Sequence, residues 1–162
     1  MADELAKLDR ATEKPTFLGW QTTYGFFTQI WIGRLRFHVF HRPDPGEALH
    51  SHPWRYTSIP LRPYVEEYLD PDGTVRRQVI RRLRLNRQPA THTHRILGRW
   101  SGEYRDGEPT VIPGAVPTIC WRGPVVGKWH YWRKVKGNIR RYDWRQYLRH
   151  VGHRPSKQQE AP

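Results

Sequence analysis

Hydrophobic and polar positions alternate with a period of two along much of this chain. In Arg34-Leu-Arg-Phe-His-Val-Phe-His41, the residues Leu35, Phe37 and Val39 alternate with Arg34, Arg36 and His38, which is the pattern of a half-buried strand. The β-like pattern begins at Phe17. Tyr56–Leu61 and Tyr64–Leu69 are further predicted strands, interrupted by Pro60 and Pro63. Asp70-Pro-Asp-Gly73 predicts a hairpin turn, proline presetting φ and glycine admitting positive φ. A return strand over Thr74–Leu85 places Val75, Val79, Leu83 and Leu85 on one face, with Arg77 and Arg81 interrupting it. Gln88-Pro-Ala90 is a break, and Thr91–Leu97 the next strand. Gly98–Pro109 reads as a polar loop, followed by short strands at Thr110–Ile112, Val116–Trp121 and Lys128–Arg133. One helix is predicted, over Tyr142–His150, with Asp143 near its start and Arg145, Arg149 and His150 towards its end, as the helix dipole favours. Many short strands with Pro and Gly turns predict an all-β sandwich or barrel, and of these a jelly roll.

Composition narrows the picture. The 162 residues suit one domain, here expected over 15–151, with a loose arm at 1–14 and a disordered tail at 152–162. Only 36% of residues are hydrophobic, but 8 Trp, 8 Tyr and 5 Phe supply much of the buriable area. The single cysteine, Cys120, cannot close an internal disulfide and reads as a small buried hydrophobe. No apolar run approaches the roughly 20 residues of a membrane span, and the first residues lack a signal-peptide core. A cytoplasmic protein without membrane contact is expected. Lys and Arg number 28 against 15 Asp and Glu, a formal +13. Such a balance favours anionic partners, either a small ligand or nucleic acid held nonspecifically, or else serves as a solvated surface. A homodimer is also compatible with the chain.

The chemistry concentrates in two histidine doublets, His50-Ser51-His52 and His92-Thr93-His94. Side chains at i and i+2 of a strand share a face, so each doublet aims two imidazoles one way. If the two strands face a common interior, up to four nitrogen ligands converge. Iron, zinc, nickel and copper all accept imidazole, so ligand type alone does not choose the metal. Three histidines with open positions suit catalysis, and a closed four-histidine site suits structure. Trp54, Tyr56, Tyr64, Trp129, His130 and Tyr131 are candidate cavity walls, with His130 a candidate acid or base. Walker, dinucleotide-binding and nucleophile-elbow motifs are absent. So is the His-x-Asp of many 2-oxoglutarate oxygenases, because position 52 is His.

His50-Ser-His52-Pro-Trp54, then Tyr64-Val-Glu66, then His94-Arg95 together resemble small cupin proteins, in particular cupin-like proteins of bacteriophages and their bacterial hosts. The resemblance runs over roughly residues 17–149. It implies a single-domain double-stranded β-helix with a mononuclear divalent metal, iron first and zinc, nickel or manganese as alternatives. His50 and His52 match the first cupin motif and His94 the second, with His92 the other candidate. Many cupins carry a glutamate three or four residues after His-x-His; this chain has Arg55, Tyr56 and Thr57 there. That departure implies a three-histidine site, a carboxylate from elsewhere such as Glu66, or a barrel that has lost its metal. The functions expected are a non-haem, dioxygenase-like metal enzyme acting on a small anionic substrate, with His130, Tyr64 and Arg55 as candidate catalytic residues. Alternatives are a basic binding module for nucleic acid or nucleotide, and a phage accessory protein using the barrel as scaffold.

Overall fold

The computed structural model describes residues 17–23, 27–44 and 47–143, and these form strands, turns and loops. The strands are β1 (Leu18–Thr23), β2 (Phe27–Ile32), β3 (Leu35–Phe40), β4 (Leu49–Ser51), β5 (Trp54–Pro60), β6 (Tyr64–Leu69) and β7 (Val75–Ile80). They continue with β8 (Asn86–Gln88), β9 (His94–Arg105), β10 (Glu108–Ile112), β11 (Val116–Val125), β12 (His130–Val135) and β13 (Asn138–Asp143). The first sheet has the order β1-β2-β3-β11-β5-β8 and the second β13-β12-β4-β9-β6-β7, with β10 paired to β9. From β3 to β6 the chain changes sheet at every step, and it does so again from β7 to β9. That alternation sets β3-β11-β5-β8 against β4-β9-β6-β7, the two four-stranded sheets of a jelly roll.

The strands read from sequence map closely onto β3, β5 and β6, but on β3 the faces are reversed: Leu35 and Phe37 are exposed and Arg36 is buried. Three further expectations need correction. The predicted strand Thr74–Leu85 is two strands, because Leu83 takes a left-handed φ of 56° and the chain bends there before β8. The expected polar loop Gly98–Pro109 is mostly a hairpin, with Asp106 and Gly107 at positive φ between β9 and β10; its polar composition reflects an exposed ribbon. Tyr142 and Asp143, the start of the predicted helix, end β13 instead. The remainder of that helix, the arm and the tail lie outside the described residues. Among the described residues no helix is long and apolar enough to cross a membrane.

The apolar core is small. Tyr64, Ile80, Ile96 and Val116 pack together with Phe40 against them. Beside this cluster the interior is polar: Arg36, Ser51, Ser58, Glu66, Thr93, His94 and Thr118 are all buried. An interior of that kind costs free energy unless its groups are paired, and the pairing is concentrated at one place.

Candidate metal centre

His50 on β4 and His94 on β9 are direct cross-strand partners, so both rings project from one face of the second sheet. His52 lies in the short link between β4 and β5 rather than in a strand, and Pro53 follows it. His92 precedes β9, its N–H donating to the Pro89 carbonyl at 3.1 Å. The doublets therefore do not sit wholly on strands, yet each keeps its two rings together. Ring centroids are 5.0 Å apart for His50 and His52 and 4.9 Å for His92 and His94.

His94 joins two groups. Ligand atoms of His50, His52 and His94 lie within 4.8 Å of one another, and so do those of Glu66, His92 and His94. On one side His94 Nε2 faces His52 Nε2 at 3.2 Å. On the other, His94 Nδ1–H donates to Glu66 Oε2 at 2.9 Å. Glu66 is fully buried, and its second oxygen accepts from Gln78 Nε2 at 2.7 Å and from His92 Nε2 at 3.1 Å. Burial opposes ionisation of Glu66, but the neighbouring His94 and His92 more than offset it and bring its pKa down to about 2. Burial likewise opposes the charged form of His94, and Glu66 raises its pKa in spite of that. His50 is held neutral by burial, with the His94 charge adding to it, at a pKa of about 3. His52 is pushed well below its ordinary value for the same reasons, burial first.

This donor set fits a divalent metal. Nitrogens bound at 2.0–2.1 Å in tetrahedral geometry lie about 3.3–3.4 Å apart, close to the 3.2 Å between His52 and His94. Ligation requires neutral imidazoles, which burial supplies at His50 and His52. A carboxylate on the far nitrogen of a ligating histidine fixes its tautomer and increases its basicity, and Glu66 stands in that position on His94. The cluster can thus hold a metal ion, through His50, His52 and His94 on one side or through the Glu66 group on the other.

Around the rings, Trp129 stands 4.7 Å from His52 and 5.3 Å from Trp54, centroid to centroid. Arg122 covers the outer face of Trp54 at 3.7 Å. Tyr56 OH lies 3.3 Å from His94 Nε2, and burial raises its pKa well above 10, so it remains a protonated donor. Tyr131 contacts His50 at 6.0 Å. Two sequence-predicted residues point elsewhere. His130 pairs with Ser51, not with His50, so its side chain lies on the opposite face of the second sheet. Arg55 is exposed and alternates with inward Tyr56; its stem lies against Gly123, where an added Cβ would come within 2.7 Å of Arg55 Cγ. Tyr64 is in the apolar core, two positions along β6 from Glu66. Arg55 instead helps line a groove of about 660 Å³ with Arg34, Thr57, Arg87 and Trp121.

Asp44 was missed by the sequence reading. It is clamped to β9 at Ile96, accepting from the Ile96 N–H at 2.7 Å and donating its own N–H to the Ile96 carbonyl at 2.9 Å. Its carboxylate is 4.0 Å from His50 Nδ1. In the sequence it stands in an Asp-Pro-Gly run that reads as a turn, and nothing local marks it as reaching another strand.

Fold and cluster together define a class: an all-β, cupin-type jelly roll with a histidine-rich centre between its sheets. No family model matches the chain, and no curated protein does so. Among solved structures it is similar to the cupin domain of Drosophila melanogaster CENP-C, at 10% identity over 75% of this chain and 95% of that one, TM-score 0.46. That protein is also known bound to CAL1. It is similar to the hydroxypropylphosphonic acid epoxidase of S. wedmorenis in complex with fosfomycin, at 8% identity over 68% of this chain and 58% of that one, TM-score 0.47. The third likeness is to the capsular polysaccharide assembling protein CapF of Staphylococcus aureus, at 12% identity over 82% of this chain and 33% of that one, TM-score 0.46. The strand order, not these distant likenesses, defines the fold.

Proposed function

We propose that the chain is a single-domain, mononuclear metal cupin acting on a small anionic substrate, with His50, His52 and His94 as ligands and iron as the preferred ion. One observation carries this reading: the facing Nε2 atoms of His52 and His94 at 3.2 Å, with the other nitrogen of His94 anchored on a fully buried carboxylate. When bound, the ion supplies Lewis acidity and, as iron, one-electron chemistry. The protein does the rest. Glu66 sets the tautomer and aim of His94, while His92 and Gln78 occupy the other carboxylate oxygen. Tyr56 offers a hydroxyl donor beside the centre. Trp129 and Trp54 exclude water on the His52 side, where low local polarity strengthens electrostatic contacts. The groove of Arg34, Arg55 and Arg87 opens with Trp121 on the outer side of the first sheet, where its cations suit a carboxylate or phosphate approaching from outside the barrel.

The test is metal content of untagged protein by mass spectrometry, followed by oxygen uptake with candidate anions. Near one metal per chain is expected. His94→Ala should abolish it, and His92→Ala should retain most of it, since His92 serves the carboxylate. Native protein that takes up none of iron, zinc, nickel or manganese would overturn the reading. A second reading has its own support: the same groove contains an exposed Trp121 beside arginines and is lined by no carboxylate, as suits single-stranded nucleic acid. Oligonucleotide binding that falls steeply with salt and ignores metal loading would favour it.

A further inference from the structure

The first sheet turns an apolar side to solvent as well as to the barrel. Its barrel-facing positions carry Tyr56 and Val116 together with Arg36, Ser58, Thr118 and Cys120, all buried. Cross-strand register then aligns two continuous rows on the outer face. One runs Leu18–Ile32–Leu35–Trp121 and the other Trp20–Ile30–Phe37–Ile119. Each is exposed: Trp20 by 72%, Leu18 by 63%, Trp121 by 54%, Ile32 by 53%, and the remainder by 37% to 47%. Scattered exposed hydrophobics are ordinary, but contiguous ones aligned across four strands are not.

We propose that this face is the contact surface of a symmetric homodimer, formed by the first sheets of two copies packed face to face. Area supports a second copy. At roughly 200 Å² for a large apolar residue, half exposed on average, the two rows offer about 800 Å² per copy, the amount each partner contributes to a stable interface. Charge supports it too. As far as β11 the rows contain no ionisable side chain, and the first meets Arg87 only at its margin, beyond Thr57, so a two-fold axis can set the patch against itself even though the whole chain carries +13. Segment 1–16 is poorly suited as a cover, since Asp3, Glu4, Lys7, Asp9, Arg10, Glu13 and Lys14 interrupt its few apolar residues.

Sedimentation equilibrium of the full chain at micromolar concentration provides the test. A species of twice the chain mass is expected. Because two strongly cationic bodies repel, the dimer should tighten as salt rises, the opposite of nucleic-acid binding. Trp20→Arg and Trp121→Arg replace residues already more than half exposed, so the monomer keeps its fold, checked by circular dichroism. Each should weaken dimerisation about tenfold or more. Val75→Arg, on the edge strand of the second sheet, should leave it unchanged. A monomeric native chain would overturn the proposal, whether the face is then bare, covered by residues 144–162, or reserved for another protein. So would a dimer indifferent to both tryptophan variants.

Discussion

The two sheets solve opposite problems with the same alternation. In the second sheet the inward residues of β4, β6 and β9 carry the chemistry, with His50, Glu66 and His94 meeting in one buried network. Its outward residues are charged and mutually paired, as where Glu67 meets Arg77 and Arg95. In the first sheet the inward residues mix polar Arg36, Ser58 and Thr118 with Val116 and with Tyr56, which reaches His94, and the outward ones of β1, β2, β3 and β11 are apolar. Period-two patterning therefore reports that a strand has two unlike faces, but not which face is covered or by what.

The largest expected effect comes from disarming the second sheet's interior. Glu66→Gln keeps the shape but removes the charge that orients His94, and metal affinity should fall about 10–100-fold, as for other outer-shell partners of ligating histidines. Competition titration with a chelator would measure this. Unchanged affinity would mean that Glu66 is only a buried ion-pair partner and that the contrast between the sheets is overdrawn.

An intermediate effect tests the first sheet's interior. His38 packs against Phe27 and Phe40, and burial, followed by the Arg36 charge, lowers its pKa to about 3. The unfolded chain protonates histidine near pH 6.5. Between these values the unfolded state binds the extra proton, so stability falls as pH drops from 6.5 towards 3. This single group contributes at most about 1.4 kcal/mol per pH unit. Above pH 6.5 its contribution is complete and constant. Urea titrations at pH 7, 5.5 and 4.5 should show a shallower decline for His38→Gln than for the native chain; parallel declines would mean that His38 titrates normally in the folded protein.

The smallest effect belongs to the second sheet's outer face. Arg77 donates to Glu67 at 3.0 Å with its side chain 43% exposed. Arg77→Ala should cost no more than about 1 kcal/mol, because Arg95 still pairs Glu67. A larger loss in thermal melts would show that this surface, too, carries structural weight.

Much of this was legible in the sequence. Tyr64–Leu69 emerged with its observed bounds because a segment rich in strand-forming residues is punctuated by Pro63 on one side and Asp-Pro-Asp-Gly on the other. The two doublets drew attention to the histidines that the fold brings together, although His52 and His92 lie beside strands and not on them, so strand alternation alone does not account for the meeting. What escaped depends on distant partners. Asp44 acts through Ile96, and His130 faces away because β12 pairs with β4 in a register that no local pattern encodes. The ribbon of β9 and β10 escaped because an exposed hairpin needs few apolar residues and so resembles a loop. β13 escaped because Asn138–Asp143 is dominated by polar residues on a strand at the sheet's edge.

The Asp44–Ile96 clamp spans 52 positions and the facing pair His52 and His94 spans 42. Contacts so distant along the chain form only after the intervening loops close, at a cost in entropy that slows folding. The centre is consequently a late product of folding, assembled when β4 finds β9. An ion bound by the proposed ligands would then act as a latch on a finished barrel, retarding its opening far more than it hastens its making.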